Sequence, residues 1–208
     1  MACLNFGLIK KRTVMASLMV TPENQIQRLN VIMNQIQELK SLETVELLTP
    51  LNSKSWSVIE VIEHLNIAYQ LYVDKINKAL VKLPEKKNER TAFKVRWWPK
   101  LVVNSTQPKG GTRKMKIKTL KKFEPILPLK NLNREGIEEI FIRFQKLHSH
   151  LKNAILQSRS KDNSKLKIDS AIGPIVSFHL PECFEFLLAH MERHLLQIQE
   201  IRNSFRTN

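Results

Sequence analysis

With 208 residues, 42% of them hydrophobic and only five glycines, the chain fits one all-α domain with a sizeable core. No window approaches the ~18–20 apolar residues of a membrane span, and Cys3 and Cys183 make neither a disulfide framework nor a thiolate zinc pattern, so a reducing, cytoplasmic setting is expected. The net charge of +15 is local: residues 1–14 carry Lys10, Lys11 and Arg12, residues 82–122 carry fourteen Lys and Arg against Glu85 and Glu89, and the remainder is balanced at seventeen to seventeen.

Residues 1–20 read as an N-terminal extension, expected to be poorly ordered. No cap opens a helix there, and Lys10-Lys11-Arg12 falls in the wrong place for a signal peptide. Met15 is the expected natural start, which an intact mass retaining Met1 would refute. Residues 21–208 read as the folded domain. Thr21-Pro22-Glu23 opens a first helix, with Ile26, Leu29, Met33, Ile36 and Leu39 facing inward. A short link through Pro50, Asn52 and Ser53 predicts an adjacent antiparallel helix over about 57–81. Ser57 and Glu60 make its capping box, while Val58, Ile62, Leu65, Tyr69, Val73, Ile76 and Leu80 make its apolar stripe. Trp56, just before the cap, is expected to be a hydrophobic staple or core plug rather than a substrate contact.

Helical periodicity fails over 82–132, where Pro84, Pro99, Pro108, Gly110-Gly111, Pro125 and Pro128 punctuate the chain. A structureless loop of about fifty residues is uncommon in a compact domain, so part of it should pack, with a short helix expected within 91–103. The segment is long enough to cross a bundle from end to end and let the flanking helices run parallel. The next helix is expected at Arg134–Gln157, with Ile137, Phe141, Phe144, His148, Leu151 and Ile155 on its buried face. Residues 158–164 read as a solvated loop, and Gly173-Pro174 precedes the last helix. That helix begins near Pro181 and Glu182 and repeats Phe184, Leu187, Leu188, Met191, Leu195, Ile198 and Ile201 at helical spacing.

On this last helix His190 and His194 are four residues apart, so their rings share a face about one turn apart, a separation that one metal ion can bridge. His64, two turns into the earlier helix, is the best candidate for a third ligand. Three neutral imidazoles leave coordination positions open, as catalytic rather than structural sites do.

Trp56-Ser57-x-x-Glu60-x-x-x-His64-Leu65 followed by His190-x-x-Arg193-His194-x-x-Gln197-Ile198 resembles the DinB-like, or YfiT-like, four-helix metalloprotein superfamily. Residues 114–125, rich in lysine and ending Phe123-Glu124-Pro125, look like a basic crossover found in many members. The resemblance implies an up-down-down-up four-helix bundle with a long basic crossover between helices 2 and 3, three His ligands to zinc, nickel or a similar ion, and often a homodimer. Characterised relatives include transferases that use low-molecular-weight thiols and a thiol-dependent isomerase, which implies a small-molecule substrate and a thiol cosubstrate.

Several residues near these motifs have two readings. Glu60 and Gln197 lie one turn from a ligand and are candidate acceptors for its far ring nitrogen. Arg193 is either a salt-bridge partner for Glu60, Glu63 or Glu185 or an anchor for substrate. His148 is a hydrogen-bonded core histidine or a ligand or proton donor, while His150 and His179 read as structural or exposed. Cys183 falls in the first turn of its helix, where the dipole would lower its pKa, although burial as a small hydrophobe is the ordinary role. Phe93, Trp97 and Trp98, interleaved with Lys94, Arg96 and Lys100, either stack on bases or pin the crossover to the bundle. In the second case Lys114, Lys116, Lys118, Lys121 and Lys122 are solvated or draw an anionic substrate toward the metal.

The chain is therefore expected to be a divalent-metal-dependent enzyme with S-transferase-like or hydrolase-like chemistry. In the first, the ion holds a small thiol as its thiolate; in the second it lowers the pKa of bound water toward ~7. The motifs name no general base, which favours transfer. The competing class is a non-enzymatic nucleic-acid-binding module that uses residues 82–122.

Overall fold

Among the described residues six α-helices follow one another: α1 (Pro22–Glu38), α2 (Thr44–Leu48), α3 (Val58–Lys82), α4 (Trp97–Thr106), α5 (Arg134–Gln157) and α6 (Leu180–Arg206). The computed structural model describes residues 18–88, 92–108, 113, 119–173 and 175–206. Met15 and the crossover lysines Lys114, Lys116 and Lys118 lie outside the described residues. The helix starts follow from local chemistry. Thr21 Oγ1 accepts the Asn24 N–H at 3.1 Å, with Pro22 in the first turn of α1. Ser57 and Glu60 complete a reciprocal capping box on α3, and Asn133 accepts from Gly136 N–H on α5 at 3.0 Å.

The four long helices build the core. α1 packs on α5 and α6, and α3 packs on the same two. The expected adjacency of the first two long helices is thus corrected: they sit across a diagonal, because their link forms α2, which packs on α3 and buries Leu47. Side-chain pairs record the helix contacts. Arg28 of α1 meets Glu185 and Glu192 of α6; at the two ends of α1, Glu23 meets Arg159 just beyond α5, and Lys40 meets Glu138. Between α3 and α5, Glu63 meets Arg143, Asn66 donates to the Ile140 carbonyl, and Asn77 meets His150. The buried face of α1 is also turned from the expected one. Ile32 and Gln25 are buried, while Ile26 and Met33 are only partly so. Gln25 sets this rotation by donating to the Pro181 carbonyl at 3.0 Å and to Glu185 at 3.3 Å.

Among the described residues two short antiparallel ribbons accompany the helices. β1 (Met19–Val20) pairs with β2 (Phe93–Lys94), and β3 (Ile168–Asp169) pairs with β4 (Ser177–Phe178). The end of the expected extension is therefore structured, since Val20 is buried with Phe93 and Val95 in a small cluster of their own. The crossover is pinned by α4 against α6. Arg96 holds it there, with its backbone N–H and guanidinium on the buried carboxylate of Glu182, which also accepts the His179 N–H. The loop after α5 is less solvated than its polarity suggests. Ser158 and Asn163 are buried, and Asn163 donates to the Ser158 carbonyl at 2.7 Å. No helix among the described residues is long and apolar enough to cross a membrane.

Candidate metal centre

α3 and α6 bring three histidines together. His64 stands two turns into α3, and His190 and His194 stand on successive turns of α6. His64 is buried, and His190 and His194 are partly exposed. His190 Nε2 lies 3.3 Å from His64 Nε2 and 3.2 Å from His194 Nε2, and one nitrogen from each ring falls within 4.8 Å of the other two.

The far side of two of these rings is fixed. His64 Nδ1–H donates to the Phe123 carbonyl at 2.7 Å, and His194 Nδ1–H donates to Gln197 Oε1 at 3.0 Å. A carbonyl oxygen only accepts, so each Nδ1 carries the proton and each Nε2 keeps a bare lone pair. Both lone pairs face His190 Nε2, which has at most one proton to share. At least one pair of nitrogens therefore meets lone pair to lone pair, an electron-rich arrangement that a cation would complete. Burial, followed by the charges of His64 and Arg193, pushes His190 down to about 3. His194 is also held well below the usual imidazole range, first by burial and then by His190, His64 and Arg113, so the rings are neutral near pH 7. A tetrahedral ion with ~2.05 Å metal–nitrogen bonds sets its ligands ~3.3 Å apart. The observed spacings of 3.2 and 3.3 Å fit it.

Aromatic walls surround the rings. Trp56, expected as a staple or plug, is half-buried against the core and also lies over His64 and His194, with centroids at 4.9 and 6.5 Å. Phe186 stacks on His190 at 6.2 Å, and Phe123 meets His64 edge-on at 6.5 Å. Phe123 belongs to the crossover, in a 3-10 turn over Lys121–Phe123, so the crossover itself supplies one wall and one hydrogen-bond acceptor. That acceptor has no side-chain signature, since any residue offers a carbonyl. Arg113, likewise not singled out from sequence, pairs with Glu200 on the α6 flank next to Arg193.

The remaining candidates fall elsewhere. Glu60 is occupied in capping, accepting from the Ser57 N–H and hydroxyl at 2.8 Å each. Glu63 pairs with Arg143 and Glu185 with Arg28. His148 lies outside the cluster, buried with Nδ1–H donated to the Phe144 carbonyl at 2.6 Å and Nε2 against Met191 Sδ. His150 is held by Tyr69 and Asn77, and His179 Nδ1–H donates to the Leu166 carbonyl. Cys183 is fully buried, and burial pushes its thiol up, overriding the helix-dipole effect expected from its position. Among the described residues of the crossover, Phe93 is buried and the half-buried Arg96 is held by Glu182, whereas Trp97, Trp98, Lys121 and Lys122 are exposed.

The family model of the DinB superfamily matches residues 31–198. The chain belongs to the DinB superfamily. Among solved structures, YfiT from Bacillus subtilis aligns with a TM-score of 0.57 at 15% identity, over 89% of this chain and 87% of YfiT. YfiT is described as a probable metal-dependent hydrolase with an unusual four-helix bundle topology. This likeness shows that the DinB chain shares the four-helix fold. No curated protein matches the chain.

Proposed function

We propose that this DinB protein is a metal-dependent enzyme in which His64, His190 and His194 hold one divalent ion, such as zinc or nickel, for chemistry on a small molecule. The observation that carries the reading is His190 Nε2 lying 3.3 and 3.2 Å from the Nε2 atoms of His64 and His194, whose own protons are drawn to the opposite side of the ring. When bound, the ion would supply Lewis acidity and stabilise the deprotonated form of a nucleophile near neutral pH. The protein's own part is to orient and to exclude water. Phe123 and Gln197 hold two ligating rings in the Nδ1–H tautomer, and Trp56, Phe123 and Phe186 wall the site with apolar surface.

S-transfer from a low-molecular-weight thiol is the chemistry we favour. Among the described residues the cluster consists of three histidines without a carboxylate, so a nucleophile that ionises readily suits it better than water, which calls for a base. Hydrolysis is the second reading, favoured by the likeness to YfiT. The up-down-down-up course is part of the same proposal. It is supported by Glu23–Arg159 and Lys40–Glu138 running α1 against α5, and by Gln25–Glu185 and Arg28–Glu192 running α1 along α6.

The test is the metal content of protein purified without chelator or a nickel column, for wild type, His64→Ala and His190→Ala. About one ion per chain, lost in both variants, is the expected result. A wild type that binds no zinc, nickel or manganese even after loading would overturn the reading.

A further inference from the structure

We propose that the outer face of α4 is a peripheral docking surface for an anionic lipid bilayer, with Trp97, Trp98 and Leu101 entering the headgroup layer and Lys94 meeting its charge. This surface uses none of the residues of the metal centre and does not depend on that reading. α4 is apolar on both sides. Pro99 and Val103 are buried where the helix packs on α6, whereas Trp97, Trp98 and Leu101 turn outward and are 68%, 41% and 41% exposed. A helix that is apolar all round ordinarily has a cover on both faces. The outward face continues on the neighbouring ribbon. Met19 pairs opposite Lys94, so the two side chains leave the same side and both are exposed, while Val20 and Phe93 turn in.

Two contacts fix the mount of the aromatic pair. Arg96, the residue before Trp97, lies with its backbone N–H and guanidinium on the buried Glu182, and Val95 packs with Val20 and Phe93. The rings are thus presented in advance, with little ordering left to lose on contact. Charge then selects the partner. Between Glu89 and Glu124 the sequence holds eleven Lys and Arg and no Asp or Glu, whereas the chain outside residues 1–14 and 82–122 is electrically balanced. A second copy docked through the same face would set these like charges against each other, which disfavours an isologous dimer here. Nucleic acid would match the charge but not the shape. The Trp97 and Trp98 rings meet edge to face with centroids 5.5 Å apart, which leaves no parallel slot for a base between them, and Met19 and Leu101 add aliphatic surface that base stacking does not use. Indole rings beside aliphatic and lysine side chains suit the bilayer interface, where apolar insertion and attraction to anionic lipid act together. No helix among the described residues is long and apolar enough to cross a membrane, so the contact is with its surface.

The experiment floats the full-length protein with vesicles of phosphatidylcholine alone or with roughly 30% phosphatidylglycerol, in about 0.1 M and about 1 M salt. Wild type should rise with the anionic vesicles at the lower salt, stay behind with phosphatidylcholine alone, and shift its tryptophan emission to the blue on binding. Replacing both Trp97 and Trp98 by Ala should weaken binding at least about tenfold and remove the blue shift, with helicity by circular dichroism unchanged. Lys94→Gln should weaken it about fivefold. Trp97→Ala alone, at the more exposed ring, should still weaken binding at least about threefold and decides the matter if the double variant fails to fold. Failure to rise with either vesicle, or binding unchanged in the tryptophan variants, overturns the inference. So does tryptophan-dependent binding of oligothymidylate without vesicle binding, which would assign the face to nucleic acid. A dimer in analytical ultracentrifugation that the tryptophan variants dissolve, again without vesicle binding, would assign it to a second copy and overturn the inference as well.

Discussion

Two groups of histidines share this bundle and differ in what their nitrogens meet. His148 and His150 have partners on both sides of the ring: the Phe144 carbonyl and Met191 sulfur for one, Tyr69 and Asn77 for the other. In the triad, among the described residues, the Nδ1 atoms of His64 and His194 meet acceptors, while their Nε2 atoms both face His190 Nε2. Burial alone therefore does not mark a functional histidine. What separates the groups is whether the inward nitrogens are satisfied by protein or left for something else.

The widest contrast should come from alanine at each group. His190→Ala is expected to abolish stable metal binding, together with the rise in thermal stability that loading confers, about 2.7 kcal/mol at a metal concentration one hundred times Kd. Differential scanning calorimetry with and without zinc reads this directly, and a zinc-dependent shift that survives in His190→Ala would erase the distinction. His148→Ala should do the reverse. It removes a fully packed ring stacked on Phe144 at 3.6 Å and should cost about 2–4 kcal/mol of unfolding free energy while keeping one ion per chain.

Acidification should sharpen the comparison from the His148 side. Burial lowers His148 to about 4. The unfolded chain, with a histidine near 6.5, takes up that proton first. The stability contributed by neutral His148 is thus complete above about pH 6.5 and is lost as pH falls toward 4, by up to about 3 kcal/mol. Urea unfolding of metal-free protein across this range should show His148→Leu with a pH slope shallower by up to one proton. An unchanged slope would mean that His148 is not held neutral by its site.

These differences show what a sequence discloses and what it withholds. The long helices were legible because their caps and stripes are local: Ser57 with Glu60, Thr21 with Pro22, and Ile137 through Ile155. The three histidines stood out through helical spacing and family motifs, and Gln197 through its place one turn from His194. The diagonal placement of α1 and α3 was not legible, because it depends on a link that folds into α2 and packs on α3. Nor was the rotation of α1, set by Gln25 reaching a carbonyl 156 residues away. His148 shares its apolar stripe with core residues, and nothing in that pattern says that its nitrogens are already satisfied.

The finest distinction lies between the two acceptors that orient the triad. Gln197 reaches His194 by a side chain, so Gln197→Leu removes the acceptor and frees the ring; metal affinity should fall about 10–100-fold, as measured by chelator competition. Gln197→Glu keeps an acceptor in place and should hold affinity within about threefold of wild type or raise it, because a carboxylate makes the imidazole a better donor to the ion. His64 is oriented by a backbone carbonyl, which substitution at Phe123 does not delete. Phe123→Leu should therefore change affinity by less than Gln197→Leu does, although it removes the aromatic wall. A Phe123→Leu loss as large as that of Gln197→Leu would show that the ring, which packs the turn in place, matters as much as the oxygen. The crossover would then position His64 through its packing against the bundle, and any substitution that loosens the Lys121–Phe123 turn should weaken metal binding in proportion.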